Sequence, residues 1–259
     1  MLDKIDLEVI VVIAKEAGDA IMKIYEKDFT IEYKEDESPL TQADTKSNEI
    51  ICQALENNYP NIPLLSEENK EVPYETRKHW EYFWLIDPID GTKEFIKKNG
   101  EFTVNIALIH KETPVLGVVY APALDDMYKA QKGKGAFKNE KRLPLEVNEA
   151  PEKLLKVVAS KSHLSEETQA FIDELSKSTE RIKQVSKGSS LKLCMVAEGT
   201  ADIYPRLAPT MEWDTAAADA IARKSGKMTY QYDSEPGTQN LKPVLYNKED
   251  LLNPWFIVQ

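Results

Sequence analysis

Acidic residues stand directly after several short apolar runs of this 259-residue sequence. Such apolar runs are typical of buried strands, and burying a carboxylate without a partner is costly. Hard divalent cations bind oxygen ligands, so acids gathered from several strand ends would suit such a cation. The candidate metal ligands are Glu67 after the run Ile62 to Leu65, Asp87 and Asp90 after Trp84 to Ile86, and Asp214 after Trp213.

The segment Asp87-Pro88-Ile89-Asp90 is the most compact of these groups. Pro88 fixes one backbone φ angle and stiffens the turn between the two aspartates. The Ile89 carbonyl can then face the side on which both carboxylates lie. Two carboxylates and one carbonyl from four residues would form a small oxygen cluster, which Glu67 and Asp214 could complete.

Gly91 and Thr92 directly follow the second aspartate. Glycine allows the backbone to approach a ligand closely, and a helix that begins here would point free N–H groups at an anion. A metal site beside a phosphate seat predicts phosphoryl transfer, in which metal ions polarise the phosphoryl oxygens and lower the pKa of a bound water. No Cys or His is placed to accept the phosphoryl group, so direct attack by water is the simpler mechanism.

Each of these features has a simpler explanation when it is taken alone. A single D-x-x-D is usually a turn with solvated acids. An acid at the start of a helix, such as Asp214, is more often a cap or a partner of the helix dipole. A lone S-E-E is normally a surface segment. It is the joint occurrence of these acids at strand ends that favours a functional site.

The elements that must position these residues can be predicted from hydrophobic spacing. The first half is expected to consist of helices laid on an antiparallel or mixed sheet. Its predicted elements include helices at Leu7 to Tyr25 and Asp44 to Asn57, a strand at Phe102 to Leu108, and a hairpin turn at Gly133 to Gly135.

A polar stretch with two prolines, Lys141 to Lys153, predicts a domain boundary. We expect an N-terminal α+β domain at residues 1–145 and a C-terminal α/β domain at residues 146–259. In the second half strands alternate with helices, as in α/β proteins. The expected strands there are Val157 to Ala159, Ile182 to Val185, Ala201 to Tyr204 and Trp255 to Val258, and the expected helices are Ser165 to Ser176, Ser190 to Glu198 and Asp214 to Lys224.

The composition is that of an ordinary globular protein, with 42% hydrophobic and 30% charged residues. A formal net charge of −11 disfavours nucleic acid polymers and anionic membranes as partners. Cys52 and Cys194 have no metal or disulfide spacing and are expected to stay reduced. With no signal peptide pattern and no apolar stretch near ~18 residues, we expect a cytoplasmic protein without a transmembrane segment. Peripheral association with the inner membrane face, and the choice between monomer and homodimer, stay open.

The motifs also carry a family resemblance. WLIDPIDGTKEF (residues 84–95), with LLSEE (64–68) and WDTAAADAI (213–221), resembles the inositol monophosphatase superfamily of lithium-sensitive magnesium phosphatases. ASKSH (159–163), GSSLKLCMVAEGTADIYPR (188–206) and PTMEWDTAA (209–217) resemble its CysQ branch, the 3′(2′),5′-bisphosphate nucleotidases. The resemblance implies an α/β (α+β) layered sandwich. It also implies removal of the 3′-phosphate of adenosine 3′,5′-bisphosphate (PAP) to give AMP, with the sulfated relative PAPS as a second candidate substrate.

The resemblance implies roles for individual residues. Two or three Mg²⁺ ions are expected per site. Their expected ligands are Glu67, Asp87, the Ile89 carbonyl, Asp90 and Asp214. Asp44, in LTQAD, matches the family's acid near the attacking water, and Thr92 matches the threonine that works with it. The expected catalytic residues are Asp44, Thr92 and Glu67, although Asp44 taken alone would more often be a helix N-cap.

A bisphosphate substrate carries a second anionic group, which an acidic metal site cannot bind. Lys192 and Arg206 match the family's basic contacts to that phosphate and the nucleotide, and His163 matches a substrate-binding histidine. Arg offers a bidentate fork and Lys a point charge. The expected substrate-binding residues are Gly91, Thr92, His163, Ser189, Lys192, Arg206 and Asp214.

Two other functions stay open on the sequence alone. An inositol monophosphatase or a related sugar phosphatase would need no second phosphate clamp, so Lys192 and Arg206 count against it. A metal-binding regulatory protein without turnover would need neither Asp44 nor Gly91-Thr92.

Overall fold

The computed structural model describes residues 1–27, 31–33, 39–69, 72–146, 154–160, 164–178, 181–232 and 242–259. The helices are α1 (Leu7–Tyr25), α2 (Gln42–Asn58), α3 (Tyr74–Arg77), α4 (Thr92–Ile96), α5 (Glu166–Ser178), α6 (Leu191–Glu198) and α7 (Glu212–Ser225), preceded by a 3₁₀ turn at Leu2–Lys4. The strands are β1 (Ile31–Tyr33), β2 (Pro39–Thr41), β3 (Leu64–Ser66), β4 (Tyr82–Asp90), β5 (Thr103–His110), β6 (Thr113–Ala121), β7 (Asp126–Gln131), β8 (Gly135–Lys138), β9 (Lys141–Arg142), β10 (Leu155–Ala159), β11 (Ile182–Ser186), β12 (Tyr204–Arg206), β13 (Thr229–Gln231) and β14 (Phe256–Val258).

A seven-stranded sheet forms the centre of the molecule, with the strand order β3-β4-β5-β6-β7-β8-β9. Strands β3 and β4 are parallel, whereas every other neighbouring pair in this sheet is antiparallel. The expected mixed, largely antiparallel sheet is therefore confirmed. Because β3 and β4 are parallel, their carboxyl ends lie at the same edge of the sheet. Glu67, which follows β3, and Asp87 and Asp90, at the end of β4, lie at that edge.

Helices cover both faces of this sheet, which makes the molecule a layered sandwich. Residues of β4 alternate between two cores. Trp84 and Ile86 pack with α1 and α2, whereas Phe83 and Leu85 lie in the core that includes α7. The central strands are buried on both faces, so their sequences are nearly continuous apolar runs.

Helix α7 lies very close to the middle of the sheet. A Cβ atom placed on Gly117 of β6 would come within 2.2 Å of the Ala217 carbonyl oxygen and 2.8 Å of the Ala220 Cβ. Glycine facing an alanine-rich helix therefore lets backbone pack on backbone. The helix that contributes Asp214 is held against the sheet to which β4, the strand with Asp87 and Asp90, belongs.

Smaller sheets make up the rest of the second half. Strands β10 and β11 form a parallel pair, and β12-β14-β13 form an antiparallel sheet. The predicted strand Ala201 to Tyr204 is wrong in its bounds, because pairing with β14 begins at Tyr204 and runs to Arg206. The short helix α3 and the strand β13 were not predicted.

The proposed boundary between residues 145 and 146 stays a prediction. The seven-stranded sheet ends at Arg142, close to that position. However, α7 packs on strands of the first half, and one hydrophobic core extends from Leu65 to Val258.

Within the described ranges, no helix combines the length and the apolar character needed to cross a bilayer. Both cysteines are free thiols.

Candidate active site

A bulge at the end of β4 places Asp87 and Asp90 on the same side of the sheet. Asp87 pairs with Asn105 of β5 and Asp90 pairs with Thr103, so three steps on β4 oppose two steps on β5. In a regular strand, residues three apart point to opposite faces. The extra residue corrects this parity. The Ile89 N–H donates to Asp87 Oδ1 at 3.1 Å and holds the turn.

Asp214 completes a cluster with these two aspartates. One carboxylate oxygen from each of Asp87, Asp90 and Asp214 lies within 4.8 Å of the others. Asp214 lies in the first turn of α7, and its Oδ2 accepts a hydrogen bond from the Met211 N–H at 2.9 Å. The structure thus brings together three of the acids that the sequence analysis selected from distant parts of the chain.

The electrostatics of the cluster favour a bound cation. Burial raises the pKa of Asp87, and the charges of Glu67 and Asp90 raise it further. Burial followed by the charge of Asp90 raises the pKa of Asp214 to about 8. Burial also raises the pKa of Asp90, but Lys192 and hydrogen bonds from Ser190 partly offset the effect. Three acids that all resist ionisation in this place would be stabilised by positive charge between them.

Glu67 lies at the carboxyl end of β3, beside this cluster. Its N–H donates to the Ile86 carbonyl at 3.1 Å, and its side chain lines the same cleft as Asp90 and Asp214. It is close enough to Asp87 for a hydrogen bond that raises the pKa of Asp87. Glu67 does not belong to the group of three mutually close carboxylates, but it borders the same space.

The donor set fits a hard divalent cation such as Mg²⁺. All the candidate ligands are oxygens, and the described part of the cluster contains no sulfur or imidazole. The Ile89 carbonyl lies within 3.3 Å of the Thr92 hydroxyl, at the edge of the same cleft. Burial raises the pKa of all three aspartates, so their negative charges lack local compensation that a bound cation would provide.

Asp44 divides its two carboxylate oxygens between the helix and the site. Oδ2 accepts hydrogen bonds from the Thr41 N–H at 2.8 Å and the Thr41 hydroxyl at 2.6 Å. Asp44 is thus the third residue of α2 in a capping box, and Thr41 is the N-cap. Oδ1 remains for the Thr92 hydroxyl, which lies 3.3 Å away. Burial raises the pKa of Asp44, and the bonds from Thr41 lower it.

Gly91 joins the aspartates to α4 in a left-handed conformation, with φ +91°. An added Cβ would come within 3.3 Å of both the Glu101 carbonyl oxygen and the Ser189 Cβ, so a side chain here would crowd the cleft. The predicted helix start is present, but α4 has only five residues. Its dipole is therefore small, and any phosphate seat here depends on nearby N–H groups.

The second half contributes cations and hydroxyl groups to the same cleft. Ser189, Lys192 and Arg206 line it together with Asp90, Gly91 and Thr92. Lys192 is only 7% exposed. Its ammonium donates to the Ser189 carbonyl at 2.6 Å and lies 5.7 Å from the centre of the Tyr204 ring. Burial lowers the pKa of Lys192 to about 8, although the charge of Asp90 acts in the opposite direction. The predicted residue His163 lies outside the described residues.

With this geometry in view, comparison with known sequences decides the family. The pattern of the inositol monophosphatase family matches residues 4–255, nearly the whole chain. The chain belongs to the inositol monophosphatase family.

Relatives within this family align with nearly the whole chain. The chain is 46% identical over 256 residues to the 3′(2′),5′-bisphosphate nucleotidase CysQ of Salmonella typhimurium, covering 97% of this chain and 98% of that protein. Identity to CysQ of Escherichia coli K12 is 45% over 251 residues, covering 95% and 96%. The crystal structure of CysQ from Bacteroides thetaiotaomicron superposes with a TM-score of 0.85 at 45% identity and covers 98% of this chain and 96% of that one. The expected sandwich fold is confirmed.

The family motifs did not point to Ser190, which connects the two halves of the site. The Ser190 N–H donates to Asp90 Oδ2 at 2.6 Å. Its hydroxyl lies 2.7 Å from the same oxygen and 2.6 Å from the Asp214 carbonyl. Asn105 donates to the Ser190 hydroxyl at 2.8 Å. For Asn105 the sequence held a signal, an amide within a strand buried on both faces, whereas Ser190 gave none because its partner lies 100 residues away.

Proposed function

We propose that this chain hydrolyses the 3′-phosphate of PAP to give AMP and inorganic phosphate in a magnesium-dependent reaction, with PAPS as a second substrate. The observation that carries the proposal is the sharing of one cleft by the acid cluster and by two basic side chains, Lys192 and Arg206. A cation-binding end and an anion-binding end suit a substrate with two phosphates. The CysQ relatives are named for this substrate class.

The metal would be held by the oxygens at the carboxyl ends of the strands. In our proposal, two or three Mg²⁺ ions bind here, and when bound they supply Lewis acidity toward the phosphoryl oxygens and a water of lowered pKa. The proposed ligands are Glu67, Asp87, the Ile89 carbonyl, Asp90 and Asp214.

Asp44 and Thr92 are the proposed residues that orient the attacking water. Thr92 has one hydroxyl proton, and Asp44 Oδ1 and the Ile89 carbonyl both lie 3.3 Å from its oxygen. When that proton points to Asp44, the lone pairs of the hydroxyl can accept a hydrogen bond from water. Burial raises the pKa of Asp44 and so makes it a better proton acceptor than an exposed aspartate. Both distances are long for O–H···O bonds and should shorten with substrate bound.

The phosphate that is not cleaved would bind to the second half of the cleft. The Lys192 ammonium has three N–H donors, and the Ser189 carbonyl accepts one. Arg206 donates through Nη2 to the Pro209 carbonyl at 2.8 Å. Its remaining guanidinium donors can serve an anion. We propose Ser189 and His163 as further contacts to the nucleotide, and Gly91 and Thr92 as contacts to the scissile phosphate.

A phosphate-release panel tests this function directly. The purified protein should release phosphate from PAP with Mg²⁺, and release should stop with EDTA. Inositol 1-phosphate should be a poor substrate, because it offers no second phosphate to Lys192. Li⁺ should inhibit the reaction. Faster release from inositol 1-phosphate than from PAP would support the sugar phosphatase alternative, and no release from either substrate would contradict both.

Magnesium binding should stabilise the fold. At Mg²⁺ 100-fold above its dissociation constant, ligand linkage contributes about 2.7 kcal/mol. For a chain of this size each kcal/mol shifts the melting temperature by roughly 2–4 °C, so a rise of roughly 5–10 °C is expected. Differential scanning fluorimetry with NaCl at equal ionic strength as the control measures it. The rise should shrink in Asp214→Asn, and an unchanged melting curve in the wild type would contradict the metal site.

We also propose that the protein works in the cytoplasm. Its two cysteines are free thiols, and a reducing compartment would keep them so. The acidic net charge of −11 gives no attraction to anionic lipid.

A further inference from the structure

Glu101 lies where the two halves of the chain meet beside the cleft. It follows α4 in the first half, and its two carboxylate oxygens both contact the loop before α6 in the second half. Oε2 accepts a hydrogen bond from the Gly188 N–H at 2.8 Å. Oε1 lies 3.2 Å from the Lys187 ammonium. One side chain of the first half therefore holds two consecutive residues of the second.

The packing around this contact leaves little room for movement. A Cβ placed on Gly188 would lie 2.7 Å from the Glu101 carbonyl oxygen and 2.8 Å from Glu94 Cγ. The backbone of the loop thus rests directly on the first half. The Glu101 N–H in turn donates to the Asn99 side chain at 2.9 Å, which fixes the segment that carries the carboxylate.

The residues that follow Gly188 are the ones proposed to recognise the uncleaved phosphate. Ser189 follows at once with φ +49°, a left-handed conformation that serine rarely adopts without support. Lys192 lies one turn further on, and its ammonium is tied to the Ser189 carbonyl. A displacement of residues 187–189 would therefore move the hydroxyl and the ammonium together, relative to the acid cluster.

We propose that Glu101 is a positioning residue, which sets the distance between the acid cluster and the phosphate-recognising residues Ser189 and Lys192. Glu101 is not among the described residues that line the cleft, and its carboxylate contacts Lys187 and Gly188. Ser190 has its own bonds to Asp90, so the acid cluster keeps its support without Glu101. Loss of Glu101 should therefore act on substrate recognition and leave the chemical step nearly unchanged.

The proposal rests on the proposed function, so the experiment has one arm that needs no substrate. Hydrogen–deuterium exchange across residues 187–193 reports the loop directly in the full-length protein with Mg²⁺. Glu101→Ala should raise the exchange rate of this segment at least 10-fold. Glu101→Gln keeps an oxygen that can accept from the Gly188 N–H, so its exchange should stay within about threefold of the wild type. Unchanged exchange in Glu101→Ala would overturn the proposal.

The kinetic arm separates positioning from a general loss of structure. Glu101→Ala should raise KM for PAP about 10-fold with kcat within a factor of two, whereas KM for 3′-AMP, which lacks the second phosphate, should change less than twofold. Lys187→Met, which removes only the ion pair, should resemble Glu101→Gln, and exposed Glu56→Ala should resemble the wild type. A kcat that falls equally on both substrates would overturn positioning of the recognition residues. A wild type inactive on PAP would refute the proposed function alone, because the exchange arm would still decide the role of Glu101.

Discussion

Asp90→Asn should lower kcat/KM for PAP by about 1000-fold and leave a folded protein. The negative charge of Asp90 acts on both other aspartates of the cluster, because it raises the pKa of Asp87 and of Asp214. A metal that stabilises charge on a phosphoryl group contributes several kcal/mol to the transition state. A loss of about 4 kcal/mol corresponds to about 1000-fold in rate.

The fold of this variant should survive because asparagine keeps the structural half of the contacts. Its Oδ1 can accept from the Ser190 N–H and hydroxyl, as Asp90 Oδ2 does at 2.6 and 2.7 Å. The amide nitrogen then presents donors where a cation needs an acceptor. Removing one charge from a crowded cluster also relieves repulsion, so the metal-free variant should melt at or above the wild-type temperature.

Steady-state phosphate release and thermal melting with EDTA measure the two halves of this expectation. Asp3→Asn is a matched control, because Asp3 is exposed and far from the cluster in sequence. It should behave as the wild type does. Phosphate release by Asp90→Asn within 10-fold of the wild type would remove the acid cluster from the mechanism. A variant that is inactive and also melts far below the wild type would show that the carboxylate serves the fold.

Local patterns in the sequence predict the ligands of this site better than they predict its geometry. Asp87 and Asp90 can be found because they stand three residues apart at the end of an apolar run. The parity that turns both to one side depends on the bulge against Thr103 and Asn105, and no local spacing encodes the register of a partner strand. If β4 were predicted as a regular strand without the bulge, the carboxylates of Asp87 and Asp90 would be placed on opposite faces of the sheet.

Long-range contacts account for most of what the sequence did not show. The local sequence does not distinguish Ser190 from any other serine or Glu101 from a surface acid, because their hydrogen-bond partners lie in the other half of the chain. For a similar reason, the predicted start of β12 at Ala201 lies three residues before its observed start at Tyr204. Ala201 and Ile203 are both buried, but Ile203 forms only an isolated bridge with Val157. The apolar residues from Ala201 onward reflect burial, whereas the bounds of β12 are determined by its pairing with β14.

The close approach of Lys192 to the acids explains how one cleft can hold both a cation and an anion. The buried ammonium partly offsets the pKa rise of Asp90, and Asp90 keeps Lys192 charged against burial. Arg206 acts in the opposite direction and lowers the pKa of Lys192. Such a lysine is held charged by the acids on one side and is available to an anion on the other. Its contribution should therefore depend on whether the substrate carries a second phosphate.

Lys192→Met should reduce kcat/KM for PAP by about 10- to 100-fold, mainly through KM. A hydrogen bond to a charged group contributes roughly 1.5–3 kcal/mol, which corresponds to that range. Methionine matches the length of the lysine stem and can fill the buried space beside Tyr204, so the pocket should not collapse. For 3′-AMP the change should stay within about threefold.

The ratio of the two substrates makes this test specific. Initial rates on PAP and 3′-AMP at saturating Mg²⁺ give both kcat/KM values from one protein preparation. Lys183→Met serves as the control, because Lys183 is exposed on β11. It should leave the PAP to 3′-AMP ratio at its wild-type value. An equal loss on both substrates would mean that Lys192 acts on the acid cluster, since that cluster serves every phosphate ester alike. The second phosphate would then be recognised elsewhere in the cleft, where Arg206 and Lys93 are the other basic residues among its described lining residues.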